Sequence, residues 1–278
     1  NIVIPSSIAN KALYIDNAAE MKKVLTIPVI GVGRIDDPLI AEEILCSGKA
    51  DLVNMGRASI ADPELPKKTM HGEHDDINHC IGCLQGCMFN GVSAAMTCMV
   101  NPSVGREDSC QIALAEMKKQ VMVVGGGISG CEVALIAAQR GHHVTLYEQS
   151  NKLGGQWLAA VVPVGKTDFA SFTAWQKKQL QKYGVTIILN TAVTADLICE
   201  KAPDVVVLAT GSKPIIPSAF VTDHEKVVLA NEALLGKVSV GQSILVIGGG
   251  LTGAETAVFF AAHGHKVILI EMTKDIAK

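Results

Sequence analysis

Four cysteines fall within nineteen residues, at Cys80, Cys83, Cys87 and Cys98, with two, three and ten residues between them. Four thiolates that close in sequence can complete the coordination of a cubane 4Fe-4S cluster or of a tetrahedral zinc ion. Zinc sites usually pair two short cysteine knuckles, whereas three close cysteines plus one remote are a common cluster pattern. The spacing therefore favours iron and sulfide over zinc, and either over unliganded thiols. Gly82, Gly86 and Gly91 let the intervening backbone wrap a compact centre. His71, His74 and His79 stand nearby but read as solvated loop residues, because four cysteines already fill such a site. Cys46, Cys110, Cys131 and Cys199 stand alone and read as small apolar residues.

The second pattern that bears chemistry is a pair of glycine-rich turns, Gly125-Gly126-Gly127-Ile128-Ser129-Gly130 and Gly248-Gly249-Gly250-Leu251-Thr252-Gly253. An isolated match of this kind sometimes serves only to pack a strand against a helix. Here each turn follows four apolar strand residues, opens a helical pattern, and precedes a carboxylate, Glu148 or Glu271, 23 residues beyond its first glycine. That context reads as dinucleotide binding. Gly125 and Gly248 make the tight turn, Gly127 and Gly250 let backbone approach a pyrophosphate, and Gly130 and Gly253 allow close strand-helix contact. The helix N-termini then face the phosphates, and each glutamate accepts from ribose hydroxyls. A 2′-phosphate at Glu271 would meet like charge, so the second turn is expected to prefer NADH to NADPH.

The elements that must position these groups follow from apolar periodicity. Residues 121–149 and 244–272 align without gaps and match at thirteen of twenty-nine positions, an internal repeat of one strand-helix-strand unit. Between the copies lie an amphipathic helix over 169–183, a short strand over 185–189, and a buried strand over 205–208 that ends in Ala209-Thr210-Gly211. Residues 1–70 show α/β rhythm, with a buried strand over 27–32, a helix over 38–47 and a strand over 50–55. The stretch 71–108 has no period and reads as an irregular loop held by something other than a core. The chain begins midway through an α/β pattern and ends just after the second strand of the second copy, so a fragment is expected.

With the motifs in place, two resemblances become specific. Leu153-Gly154-Gly155-Gln156 and 204–211, ending in Thr210-Gly211, look like the FAD-contacting segments of flavoprotein disulfide reductase-like domains. That resemblance places FAD at the first turn, with Gly155, Gln156, Thr210 and Gly211 among its contacts, and NADH at the second. The cysteine loop, with Cys98-Met99-Val100-Asn101-Pro102 closing it, resembles that of the 2,4-dienoyl-CoA reductase, enoate reductase and trimethylamine dehydrogenase family. In that family a flavin barrel of the old yellow enzyme type is fused through this loop to FAD and NAD domains. Barrels of eight strands often bind phosphate with the loops after strands seven and eight. Gly31-Val32-Gly33-Arg34 and Asn54-Met55-Gly56-Arg57 take those places if residues 1–70 end such a barrel. The resemblance then assigns the backbone amides of Gly33, Gly56 and Arg57 to an FMN phosphate, and Arg34 to the neighbourhood of the flavin. Ala58 departs from the proline that relatives often carry, and both arginines would otherwise read as surface residues at strand ends.

The expected fold class is α/β: the C-terminal remnant of a (β/α)8 barrel over 1–72, an iron-sulfur loop and linker over 73–112, and Rossmann-like domains over 113–240 for FAD and 241–278 for NAD. The expected cofactors are FAD, NADH, a 4Fe-4S cluster and FMN, the last with only part of its pocket. The family resemblance implies electrons passing from NADH to FAD, through the cluster to FMN, and on to an enoyl thioester or enoate. An amine dehydrogenase delivering electrons outward, or a module without turnover, are the alternatives. No residue is expected as catalytic acid.

Composition bounds the partners. A net charge of -3 over 278 residues leaves no cationic excess for nucleic acid or an anionic membrane, and 4% aromatics offer no stacking platform for single strands. Mean hydropathy is +0.32 without a spanning stretch or a signal-like N-terminus. The reading is a soluble, cytoplasmic chain with a small-molecule substrate, either a homo-oligomer or a partner of an electron-transfer flavoprotein.

Overall fold

The computed structural model describes residues 3–89, 95–220 and 224–277; Gly91 of the cysteine loop lies outside them. The chain divides into two compact units. One comprises Asn1–Met117 with Ala138–Gly141 and Ser171–Gly184, the other Lys118–Ala137, His142–Ala170 and Val185–Lys278.

The first unit opens with α1 (Ile15–Lys22), β1 (Ile30–Gly31), α2 (Pro38–Cys46), β2 (Leu52–Val53), α3 (Gly56–Ala61) and α4 (Leu65–Met70). Helix α2 begins where the sequence favours it, with the Asp37 carboxylate accepting from Leu39 N at 2.9 Å and a proline at the first helical position. Strands β1 and β2 are parallel, Ile30 opposite Leu52, over a core of Ile15, Ala18, Val29, Ile35, Ala41, Ile44 and Ala50. The buried strand expected over 27–32 is only two residues long. Successive side chains of extended backbone leave on opposite faces, so Val29 and Gly31 are buried while Ile30 and Val32 are exposed, and Ile27, ahead of the strand, is exposed too.

The segment expected to be held without a core has apolar anchors of its own. Ile77, Ile81, Val100 and Val104 are buried, and Ile77 packs with Ala58 and Leu65. The segment holds a 3-10 turn at His74–Asp76 and a π turn at Gln85–Phe89. The nearby histidines are not all solvated either, since His79 is half-buried and its Nδ1 lies 2.8 Å from the Asp36 carbonyl.

The second unit is built on β3 (Gln120–Val124), α5 (Ile128–Gln139), β4 (His143–Tyr147), α6 (Trp157–Ala160), β5 (Thr186–Ile188), α8 (Ala195–Lys201) and β6 (Val205–Leu208). Helix α7 (Ala170–Lys182) runs between α6 and β5, mostly within the first unit. The sheet is parallel, ordered β5-β4-β3-β6. The strand expected to be buried over 205–208 forms, but it is half-buried and Leu208 is exposed. After α9 (Ala230–Leu234) comes the second copy, β7 (Ser243–Ile247), α10 (Leu251–Ala262) and β8 (Lys266–Ile270). Each of its elements starts 123 residues after its counterpart, Gln120 to Ser243, Ile128 to Leu251 and His143 to Lys266, and the strands pair in the same register. The parallel α/β architecture is therefore as expected. No helix among the described residues is long and apolar enough to cross a membrane. Of the lone cysteines read as apolar, only Cys131 is buried, its thiol pushed up to about 12 chiefly by that burial; Cys46, Cys110 and Cys199 are exposed.

Within the first unit, α7 is clasped to the 3-10 turn through Asp76. Its carboxylate accepts from Gln179 Nε2 at 2.9 Å and from Lys182 Nζ, and its carbonyl accepts from Trp175 Nε1 at 2.9 Å. Burial works against the Asp76 charge, but the Lys182 and Gln179 donors outweigh it and hold the carboxyl below its usual range. A depressed carboxyl pKa stabilises the fold above the unfolded value, and that contribution is lost as pH falls through the folded value. Asp76→Ala is expected to cost about 1 kcal/mol at pH 7, modest because Lys182 is half exposed. The difference from wild type in urea denaturation should shrink as pH falls below the ordinary aspartate value of about 3.9; a difference that stays constant through that fall would show that the ion pair is not its source.

Candidate functional site

The two glycine turns are clasped in the same way. Gly126 N donates to Glu148 Oε2 at 2.7 Å and Ser150 N donates to Glu148 Oε1 at 2.8 Å. In the second copy Gly249 N donates to Glu271 Oε2 at 2.6 Å and Thr273 N donates to Glu271 Oε1 at 2.8 Å. Each glutamate therefore already holds its own turn with both oxygens, and a ribose would use the lone pairs left over. The backbone donors of Thr273 and Gly249 lower the Glu271 carboxyl below its usual range, which keeps it charged. The middle glycines and the two hydroxyl residues were not singled out from the sequence, although the second glycine in each Gly-Gly-Gly run and a hydroxyl residue two places after each glutamate were there to be read.

The glycines differ in what requires them. Gly125 and Gly248 take φ of +109° and +99°, which side chains rarely adopt. A Cβ on Gly130 would stand 1.9 Å from the Gly125 carbonyl oxygen, and one on Gly253 1.8 Å from that of Gly248. These two serve strand-helix packing. A Cβ on Gly127 or Gly250 would meet nothing within 4 Å, so the fold itself does not demand glycine there. Gly155 has φ of +52° and lies against Gly127, while Gln156 Nε2 donates to the Ser212 carbonyl at 2.6 Å. Gly125, Gly127, Glu148, Gly155, Gln156, Thr210 and Gly211 line one broad cleft of the second unit, and Gly248 and Glu271 line it too.

In the first unit Cys80, Cys83, Cys87 and Cys98 share the wall of one small cavity. Gly86 brings the remote cysteine in: a Cβ there would lie 2.3 Å from the Thr97 carbonyl oxygen, and Thr97 N donates to Gly86 O at 3.2 Å. Asn78 Nδ2 donates to the Val100 carbonyl at 2.6 Å and Asn101 Nδ2 to the Ile60 carbonyl at 2.9 Å. Sequence reasoning missed these two asparagines because their partners are remote. Burial raises the thiols of Cys83 and Cys87, and Cys80 to about 11. A bound metal inverts that preference by deprotonating its thiol ligands. Among the described residues no three His, Cys, Asp or Glu side chains converge as one metal ion requires. Four cysteines on the wall of one cavity supply the complete ligand set that a metal-sulfur centre with four thiolate ligands would need.

The two loops expected to reach a flavin phosphate leave β1 and β2 on the same edge, with Asn54 N donating to Gly31 O at 2.9 Å. Gly33 has φ of +116° and its absent Cβ makes room for Tyr14; Gly56 opens α3. The Arg34 side chain is buried and donates to the Ala9 carbonyl and, at 3.2 Å, to that of Ser7. Arg57 Nη1 donates to the Pro5 carbonyl at 2.7 Å, and its side chain lines the cysteine cavity. Neither arginine is a loose surface residue.

Parallel strands with glycine turns at their ends, carboxylates behind those turns and a cysteine cavity define a dinucleotide-dependent oxidoreductase architecture. The comparisons place it further. A model described as pyridine nucleotide-disulphide oxidoreductase matches 104–201 and 198–278, and one described as NADH:flavin oxidoreductase / NADH oxidase family matches 4–76. The chain belongs to the pyridine nucleotide-disulphide oxidoreductases, joined to a segment of an NADH:flavin oxidoreductase. It is 44% identical to an NADH oxidase of Thermoanaerobacter brockii, covering 94% of this chain and 41% of the relative. It is 38% identical to a cinnamate reductase of Clostridium sporogenes, covering 98% and 41%. A solved complex of 2-naphthoyl-CoA reductase superposes with a TM-score of 0.94 at 37% identity, over 99% of this chain and 42% of that one. The chain thus spans about two fifths of the length of these relatives, and the resemblance read from the cysteine loop is borne out.

The glycines supply a paired test of the turn. Gly127→Ala is expected to leave the melting temperature within about 2 °C of wild type, since it meets no atom, while weakening flavin retention at least about tenfold. Gly130→Ala is expected to destabilise by about 2 kcal/mol or more. Equal melting temperatures for the two variants would count against these assignments.

Proposed function

We propose that the chain works within an NADH-dependent flavin and iron-sulfur oxidoreductase that reduces an activated C=C bond, such as an enoyl thioester or enoate. The observation that carries this reading is the coexistence of two identically clasped glycine turns and a four-cysteine cavity on one chain. The cinnamate reductase and 2-naphthoyl-CoA reductase names of its relatives support the substrate class.

When bound, flavins and nicotinamide supply hydride and single-electron chemistry, and a 4Fe-4S cluster supplies a one-electron carrier. The residues divide the work of holding them. Gly125, Gly127, Gly130, Glu148, Gly155, Gln156, Thr210 and Gly211 hold FAD, and Gly248, Gly250, Gly253 and Glu271 hold NADH. Cys80, Cys83, Cys87 and Cys98 ligate the cluster, while Gly33, Arg34, Gly56 and Arg57 form one side of the FMN site. The first turn carries the double glycine Gly154-Gly155, which lets a bulky flavin dinucleotide lie against backbone. The crowding of four cysteines into one loop, in place of a spread disulfide frame, suits a reducing cytoplasmic setting. An amine dehydrogenase sending electrons outward is the rival, and the charged Glu271 behind an intact second turn favours entry from NADH instead.

The purified holoprotein is expected to contain iron and acid-labile sulfide in equal amounts, and NADH is expected to bleach its flavin without oxygen. Flavin that stays oxidised under NADH yet is reduced by an amine would transfer the assignment to the rival. Glu271→Arg is expected to lower kcat/KM for NADH at least about tenfold and to narrow or reverse the preference over NADPH. Unchanged kinetics with both cofactors would remove Glu271 from the nucleotide site.

A further inference from the structure

Arg57 follows directly on Gly56 in a loop expected to serve a flavin phosphate, yet its side chain goes elsewhere. It forms part of the wall of the cavity shared by Cys80, Cys83, Cys87 and Cys98. A hydrogen bond of 2.7 Å from Nη1 to the Pro5 carbonyl fixes it there. That partner is a neutral peptide oxygen, so it orients the guanidinium without cancelling its charge. No carboxylate of the described residues forms an ion pair with Arg57. Asp36 is paired with Lys11 at 2.7 Å, and Arg34 is turned to the Ser7 and Ala9 carbonyls and does not line the cavity. Arg57 is therefore the cation on the cavity wall itself, while Arg34 lies beside the loop at Gly82.

We propose that Arg57 sets the reduction potential of the metal-sulfur centre held by these cysteines, raising it by favouring the reduced state. The proposal rests on the reading that the cysteines hold a 4Fe-4S cluster. Four thiolates make the centre an anion, and taking up one electron makes it more negative. A fixed positive charge stabilises the more negative state more, and a partly buried charge is screened little by salt. Arginine suits the role because it stays protonated at every working pH. The loop at 54–57 would then serve two cofactors at once, one through its backbone amides and the other through the side chain of Arg57.

The test is a potentiometric titration of the full-length holoprotein, followed by electron paramagnetic resonance, for wild type, Arg57→Gln and Arg57→Lys, with iron and sulfide measured on each. Arg57→Gln is expected to keep its iron and to lose at least about tenfold in the one-electron reduction equilibrium, a fall of about 59 mV. Arg57→Lys, which keeps the charge, is expected to stay within about threefold of wild type. An unchanged potential in Arg57→Gln overturns the proposal, and so does an equal shift in Arg57→Lys, since charge would not be the cause. Loss of iron from Arg57→Gln also overturns it, because the side chain would then hold the loop together. Wild-type protein without iron and sulfide would sink the cluster reading itself, an outcome visible before any variant is compared.

Discussion

The second unit depends on one hydrogen bond used twice, from the N–H of a middle glycine to a glutamate at the end of the next strand, Gly126 to Glu148 and Gly249 to Glu271. A turn that exposes several backbone N–H groups toward an anion is costly to hold open before the anion arrives, because those donors want partners. The glutamate satisfies one donor from behind and leaves the others facing forward. It also ties strand ends together, since Glu148 closes β4 and its own N–H donates to the Ile188 carbonyl at 2.9 Å, next to β5. The sheet edge, the turn and the helix start thus become one object.

The cysteine loop is organised on the opposite principle. Its buried thiols prefer to stay protonated, and its backbone relies on left-handed residues such as Gly82 and Leu84, with φ of +66° and +60°. Ile77, Ile81 and Val100 anchor the two ends of the loop, while the middle is shaped around a cavity. Desolvated thiols at the centre of a loop with left-handed residues fit the proposed reading, in which a bound metal would complete the loop's energetics. The arginine on the cavity wall belongs to the same logic, since it supplies positive charge where thiolates must gather.

Much of this was legible in advance because the signals were local. The repeat of glycines, apolar strand and acidic end located β3, α5 and β4 and their copies to within a residue or two, since each step obeys one period. The cysteines announced their cavity by spacing alone. What stayed hidden was long-range. Nothing near Asp76 in the chain signals that Gln179 and Lys182 will clasp it, and nothing near Arg57 signals that Pro5 will turn its side chain toward the cysteines. The 27–32 run shows a different limit. Apolar composition identified a strand, but only the neighbouring chain decides which face is covered, and there Val29 and Gly31 alone are.

The two copies of the repeat also differ in front of the turn. In the first copy Gly154 N donates to Gly126 O at 2.7 Å, and in the second Ala277 N donates to Gly249 O at the same distance, 123 residues on. The position requires a left-handed backbone in both, φ of +116° for Gly154 and +57° for Ala277. Glycine adopts it freely, whereas alanine is strained there by about 1 kcal/mol. The first copy adds a second glycine, Gly155, whose backbone lies so close to Gly127 that a Cβ would stand 3.1 Å from the Gly127 Cα. The clasp behind the turn is common to both copies, so under the proposed division of FAD and NADH between them these residues in front of it are where the copies differ.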